Sequence, residues 1–257
     1  LVISSPSSST IGFLTLIFAI KLIWLCEIFI HIKRNYQTIL TAMMNNIFPK
    51  LHKEGYKFLA ISIIITFIIW FLSNFLAMIM LLISVWVYYF FRDPDRVSIN
   101  DNSYLVSPAD GLITEISEIN GPEELGLENK RFTRVSIFMN VFNCHVNRSP
   151  VEGKIEEIFY KPGKFLNASL DKASKENERN YYKLIFNDNE EIILVQIAGL
   201  IARRIVCEVS KDQILKQGER IGMIRFGSRV DLFFNNKTVL AKLGQNVVAG
   251  ESLIAKN

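Results

Sequence analysis

Histidine and cysteine are scarce in this chain, and the scarcity removes whole classes of chemistry. Each occurs three times in 257 residues. Cys26, Cys144 and Cys207 show neither a CxxC pair nor metal-ligand spacing, so no disulfide framework is supported and the three read as reduced, packed thiols of a cytosolic compartment. His31 and His52 precede the long apolar run, which leaves His145 as the one histidine after it; a single imidazole without a partner does not build a zinc site. No Gly-x-Ser-x-Gly elbow occurs, which disfavours an α/β-hydrolase. The formal net charge is only +4, with no basic block interleaved with aromatics; that argues against nucleic acid and suits an anionic membrane surface.

The last absence is of charge altogether, from Phe58 to Phe91. A single helix over that run would be about 50 Å long against a hydrocarbon core of about 30 Å. Ser73-Asn74 near its centre offers a turn, so residues 44–91 predict a basic lead-in followed by a helical hairpin that dips into a membrane. Lys50, Lys53 and Lys57 on one flank and Arg92 and Arg96 on the other place both ends on the cytoplasmic side, and the aromatic cluster Trp86, Tyr88, Tyr89, Phe90 and Phe91 suits the headgroup boundary. This predicts a cell-membrane protein with its polar part facing the cytoplasm. Residues 1–43 form a separate extension, Ser-rich and then apolar, and the reading favoured here has the natural start at Met43 or Met44.

After Phe91 the composition changes, and residues 92–257 read as a mainly β domain. Short apolar or alternating runs such as VSIFMNV, IILVQIAG, RIVCEV and RIGMIRF are separated by Gly, Pro, Asn and Asp turns. The polar stretch 166–180 reads as a surface loop. One segment echoes another: Val106-Ser-Pro-Ala-Asp-Gly-Leu-Ile-Thr-Glu-Ile116 matches Arg148-Ser-Pro-Val-Glu-Gly-Lys-Ile-Glu-Glu-Ile158. Gly244-Gln-Asn-Val-Val-Ala-Gly250-Glu-Ser-Leu-Ile254 resembles the strand-turn-strand signature of biotinyl and lipoyl carrier domains, which suggests a sandwich or barrel of short strands; the carrier lysine turn is missing.

Within this domain Gly227-Ser228 is a bond at which a protein can attack itself. If the Ser228 hydroxyl adds to the Gly227 carbonyl, the amide becomes an ester, and a base that removes the Ser228 Cα proton then eliminates the Gly227 carboxylate. The dehydroalanine left behind hydrolyses to a pyruvoyl group. His145, titrating near neutrality, is the candidate proton carrier, and Asp110 in Ser107-Pro-Ala-Asp-Gly111 is the candidate carboxylate to orient it. Arg203, Arg204 and Lys164 are candidates to hold a phosphate or carboxylate. No metal site is expected.

Together these pieces resemble the phosphatidylserine decarboxylase family in its short bacterial and archaeal form. The resemblance is carried by Phe91-Arg-Asp-Pro-Asp-Arg96, Ser107–Gly111, Phe138-Met-Asn-Val-Phe-Asn-Cys-His-Val-Asn-Arg-Ser-Pro150, Gly163–Ala168, Asp171–Ser174, Asn177–Arg179, Gln196–Gly199 and Gly218-Glu-Arg-Ile-Gly-Met-Ile-Arg-Phe-Gly-Ser228, in order over residues 44 to 257. It implies a zymogen cleaved at 227/228 into a β chain (1–227) and an α chain (228–257) that stay together as a heterodimer, with room for a higher oligomer. The pyruvoyl made from Ser228 forms a Schiff base with a phosphatidylserine amine, and phosphatidylethanolamine and carbon dioxide are released. Longer members carry a second histidine near the position of Arg148, and this chain does not. Two rivals remain: a pyruvoyl decarboxylase for another amino-lipid, and a non-catalytic, membrane-tethered β module that stays uncut.

Overall fold

A computed structural model describes residues 48–164, 176–187, 190–199, 204–225 and 228–257. Cys26, Arg203 and Gly227, together with the expected extension 1–43, lie outside the described residues. Lys50–Asn257 form one packed unit.

The uncharged run forms two apolar helices, α1 (Gly55–Trp70) and α2 (Asn74–Phe90), packed side by side. Ser73 is extended and caps α2, its hydroxyl accepting from Leu76 N–H at 3.5 Å. The serine and threonine hydroxyls within the helices turn inward: Thr66 Oγ1 lies 3.2 Å from Ser84 Oγ across the pair. Outward go Ile61, Ile64, Phe67, Trp70, Phe75 and Leu82, all exposed. No helix among the described residues is long and apolar enough to cross a membrane. The two free ends of the pair are tied to one another, His52 N–H donating to Phe91 O at 2.8 Å and Asp93 N–H to Lys50 O at 2.7 Å.

The rest is mainly β. Eight strands form one curled sheet: β13 (Asn246–Val247), β2 (Gly111–Asn120), β3 (Arg131–Met139), β11 (Ser228–Phe234), β7 (Glu190–Ala198), β6 (Arg179–Phe186), β5 (Gly153–Lys161) and β9 (Ile214–Leu215), in that spatial order. Two three-stranded sheets complete the unit: β1 (Tyr104–Val106) with β14 (Leu253–Lys256) and β12 (Thr238–Val239), and β4 (Val146–Arg148) with β10 (Arg220–Ile224) and β8 (Ile205–Cys207).

The echo in the sequence is a two-fold repeat in space. Ser107 Oγ donates to Ala109 O and Ser149 Oγ to Val151 O, both at 2.7 Å. Val106 N–H donates to Pro150 O at 3.0 Å, and Arg148 N–H returns the bond to Pro108 O at 2.9 Å. Ser107 O accepts from Gly250 N–H as Ser149 O accepts from Gly218 N–H; Ile113 N–H donates to Gln245 O as Ile155 N–H donates to Gln213 O. The sheet follows the same symmetry, β13-β2-β3-β11 on one side matching β9-β5-β6-β7 on the other. Alternating residues of the central strands face a core that includes Ile137, Val135, Val230, Leu232, Leu194 and Tyr182.

One expectation is corrected. The polar end of the stretch read as a surface loop is buried: Asn177 is fully enclosed, and Arg179 and Asn180 begin β6. Partners distant in the chain bond Asn177 and Glu178, Asn177 Nδ2 donating to Ala198 O at 2.7 Å and Ile205 N–H to Glu178 Oε1 at 3.2 Å, so the polarity of these two does not keep them at the surface.

Candidate functional site

Ser228 opens β11, the centre of the eight-stranded sheet, with Met139 of β3 and Ala198 of β7 as its cross-strand neighbours. It is fully buried, and its hydroxyl has no hydrogen-bond partner among the described residues. A buried hydroxyl left unpaired is costly, and Ser228 Oγ shares that state with His145 Nε2 and with Ser136 Oγ of the neighbouring strand.

His145 reaches the same end of the sheet through backbone pairing. It precedes β4, which pairs with β10, and its carbonyl accepts from Ile224 N–H at 3.3 Å. From Ile224 the chain spans at most about 14 Å to Ser228. The imidazole is fully buried under the Phe90 ring, with centroids 4.2 Å apart. Its Nδ1 lies 2.9 Å from Asn143 O, and because a carbonyl only accepts, Nδ1 carries the proton. Nε2 is then a bare lone pair, buried and without a partner among the described residues. Burial pushes the His145 pKa down to about 3, so the ring is neutral at physiological pH.

Asp110 does not orient that ring. Its Oδ1 accepts from Ala249 N–H at 2.8 Å, and its Oδ2 pairs with Arg96 at 2.8 Å. The Asn143 carbonyl holds the tautomer instead, because two residues of local turn reach Nδ1 more directly than a carboxylate already bound on both oxygens. Gly111 explains the neighbouring motif: a Cβ there would sit 2.3 Å from Phe138 O, so only glycine lets β2 start this close to β3. Arg204 is exposed, and its carbonyl accepts from Arg225 N–H at 3.2 Å. Lys164 is exposed and paired with Glu176 at 3.2 Å. Neither side chain is placed at Ser228 by a recorded contact. Cys144, next to His145, donates to Arg92 O at 3.3 Å, and burial raises its pKa to about 11, so it is an inert thiol. Among the described residues no three His, Cys, Asp or Glu side chains converge on a metal position.

Residues not singled out from the sequence line the site. Asn147 and Gln196 are fully buried beside Met139, joined by a hydrogen bond of 2.8 Å, and Tyr182 Oη donates to Gln196 Oε1 at 2.7 Å. Arg148 donates to Asp93 at 3.1 Å and to Gly218 O at 2.9 Å, which binds the start of the β domain to the turn before β10. The signal that could have found Asn147 is the repeat itself: it falls where the first copy has Leu105.

The opposite face of the sheet has a different character. A cavity of about 350 Å³ there is lined by Arg134, Lys161, Arg179, Tyr181 and Asp231 among others. Its charges are matched internally: Lys161 with Glu124 at 2.9 Å, Arg179 with Glu124 at 3.4 Å, and Asp231 with the neighbouring Arg229 at 2.6 Å.

The geometry thus sets a buried serine hydroxyl and a buried neutral imidazole at one end of the sheet, each with a polar atom that has no partner among the described residues. Comparison with known proteins identifies the family. Residues 83–255 match the family model described as phosphatidylserine decarboxylase. A phosphatidylserine decarboxylase proenzyme of Pelagibacter ubique is 68% identical over 214 residues, 83% of this chain and 100% of the relative. The proenzymes of that name from Ruegeria pomeroyi and Rickettsia typhi are each 48% identical, over 83% and 82% of this chain and 98% and 92% of their own lengths.

Proposed function

The chain belongs to the phosphatidylserine decarboxylase family, and on that premise we propose that it is a self-processing zymogen whose mature form converts phosphatidylserine to phosphatidylethanolamine and carbon dioxide. The observation that carries the site assignment is the buried Ser228 hydroxyl at the head of the central strand, without a partner among the described residues.

In this reading Ser228 Oγ adds to the Gly227 carbonyl and the amide C–N bond breaks, giving an ester and a free amine. His145 Nε2, the unprotonated nitrogen of the ring, takes the proton that the serine gives up and the Cα proton as well. Elimination releases the Gly227 carboxylate; water then displaces ammonia and residue 228 becomes the pyruvoyl group. Its seat fits this product: the ladder from Arg229 onward holds the new α chain between β3 and β7 after the cut. The pyruvoyl group supplies an electron-withdrawing ketone for the substrate's amine. The chain's own part is to exclude water, present the base and later return a proton to carbon. Asp110 contributes by fixing the Arg96 and Ala249 segments beside β4, and Arg203, Arg204 and Lys164 are assigned to the substrate's anionic groups.

The apolar helices bring this site to a lipid that does not readily leave the bilayer. At about 24–26 Å each they fall short of the hydrocarbon core, so the pair is read as lodged in the cytoplasmic leaflet, with both ends returned to the headgroup level by Lys50, Lys53 and Arg92. The two-fold arrangement of short strands is read as akin to biotinyl and lipoyl carrier domains, and 44–91 and 92–257 as the membrane and catalytic parts.

Intact-mass measurement of the detergent-solubilised protein tests the proposal. Two species are expected, one ending at Gly227 and one starting at residue 228 and lighter than the encoded peptide by one ammonia. Ser228→Ala is expected to stay whole and inactive. A cleaved, active alanine variant would refute the assignment, and a folded wild-type chain that stays uncut and inactive would bring the non-catalytic module to the front.

A further inference from the structure

Beside Ser228 the two halves of the repeat fill the same positions in opposite ways. Ile113 pairs with Ile137 as Ile155 pairs with Leu184, and a register shift follows in each strand. Leu232 pairs with Val135 as Leu194 pairs with Tyr182, and Leu232 and Leu194 pair with each other at the centre. Counting along the strands, Tyr182, Gln196 and Asn147 correspond to Val135, Phe234 and Leu105. Those three counterparts are all apolar and 0% exposed. The fold therefore accepts a purely apolar trio here, and the polar one needs another reason, because burying such groups is unfavourable unless each is bonded.

The polar trio is a one-way chain. Tyr182 donates to Gln196 Oε1 at 2.7 Å, Gln196 Nε2 to Asn147 Oδ1 at 2.8 Å, and Asn147 Nδ2 to Met139 Sδ at 3.6 Å. Its direction is set by its end. With both amides turned round, Asn147 would press a carbonyl oxygen against a thioether that has no proton to give. The chain thus delivers an N–H donor whose acceptor is among the weakest a protein offers. Met139 is the direct cross-strand neighbour of Ser228, so their side chains stand on one face of the sheet, where the Ser228 hydroxyl lacks a partner among the described residues.

We propose that Asn147, aligned by Gln196 and Tyr182, is the positioning residue of residue 228. Its Nδ2–H turns from the Met139 sulfur to the oxygen at 228: the Ser228 hydroxyl before cleavage, and the keto oxygen afterwards. On the hydroxyl it occupies a lone pair and leaves the O–H free for the base. On the keto oxygen it polarises the carbon toward the substrate's amine. The inference rests on the reading of 227/228 as the cleavage site.

The test follows cleavage of the full-length chain by denaturing gel and intact mass, with thermal melts to establish that each variant is folded. Asn147→Leu is expected to slow cleavage about 100-fold. Gln196→Glu is expected to do the same, since a carboxylate there accepts from Asn147 Nδ2 and turns its oxygen toward 228. Met139→Leu removes only the competing acceptor and is expected to cleave as fast as the wild type or faster. The proposal is overturned if folded Asn147→Leu and Gln196→Glu cleave within about two-fold of wild type. It is equally overturned if Met139→Leu is slowed as much as Asn147→Leu, the mark of a packing role. Ser228→Ala run alongside separates the failures: if it stays whole, only the role of Asn147 has fallen, and if it is cut, the cleavage reading has fallen first.

Discussion

Leu105 and Asn147 occupy one place in two copies of the same strand, and so do Asp110 and Glu152 in the turn that follows. The first copy buries Leu105 in the core, whereas the second uses Asn147 to end a hydrogen-bond chain. In the turns the contrast runs the other way: Asp110 is buried against Arg96, and Glu152 is exposed. The backbone bonds of both copies are nearly superposable, so the shared residues, Ser-Pro and Gly, specify the turn and the strand launch. What the copies do not share is what the fold does not need. A duplicated unit thus carries its own control, in which chemistry shows up as departure from symmetry.

The largest expected effect comes from removing the base, a residue with no counterpart in the first copy's core. His145→Ala should slow processing and turnover by about 100- to 10,000-fold, measured as rate per folded molecule. Next is the opposite face of the sheet, where charges are matched. Asp231→Ala removes the carboxylate that accepts from Arg229 at 2.6 Å and should cost about 1.5–3 kcal/mol in denaturant unfolding, while chains that do fold still cleave. Those two results, activity lost without stability and stability lost without activity, would divide the two faces of one strand.

Making the copies alike sharpens the comparison further. Leu105→Asn puts an amide where no polar chain exists and should destabilise by about 2 kcal/mol. Asn147→Leu combined with Gln196→Leu and Tyr182→Phe removes every partner along the chain and should be nearly neutral in stability yet slow to cleave. If Leu105→Asn proves harmless by thermal melting, the two positions are not the distinct environments described here.

The pH dependence of stability is a smaller effect with a definite sign. His145 titrates near 6.5 when unfolded and about 3 when folded, so between those values the unfolded chain binds more protons. Stability should therefore fall as pH drops from about 6.5, and His145→Asn should flatten that slope. Glu208, which accepts from His52 and Lys53, is held down to about 2. Its contribution is present above about 4.3 and is lost on further acidification toward 2, the second limb of the same melt series. The smallest effect belongs to the turns: Glu152→Gln should change stability by less than about 0.5 kcal/mol, with Asp110→Asn the more costly of the pair because Arg96 loses its charge partner.

How much of this could be read beforehand differs from residue to residue. Apolar runs between turn residues marked most strands, and the Ser-Pro-x-acidic-Gly echo announced the repeat. Gly227-Ser228 and His145 were visible because their chemistry is local, a bond and a ring. The buried stretch Asn177–Asn180 was missed because its partners, Ala198 and Ile205, come from other strands. The link drawn between Asp110 and His145 failed for the same reason. Each is satisfied by a group that pattern alone does not name, Ala249 and Arg96 for the one and the Asn143 carbonyl for the other.

By itself the sequence determined the β class, the apolar pair of helices, the repeat, the family and the bond at which the chain is read to cut itself. All of these rest on neighbours in the chain or on short periodicities. Only the tertiary structure decided that Ser228 heads the central strand, that His145 keeps a bare nitrogen, and that Tyr182, Gln196 and Asn147 meet beside Met139. Those outcomes depend on strand register across separations of 14 to 49 residues. A slip of one residue in that register turns every side chain to the other face, and no local pattern around any one of the three records which register the whole sheet adopts.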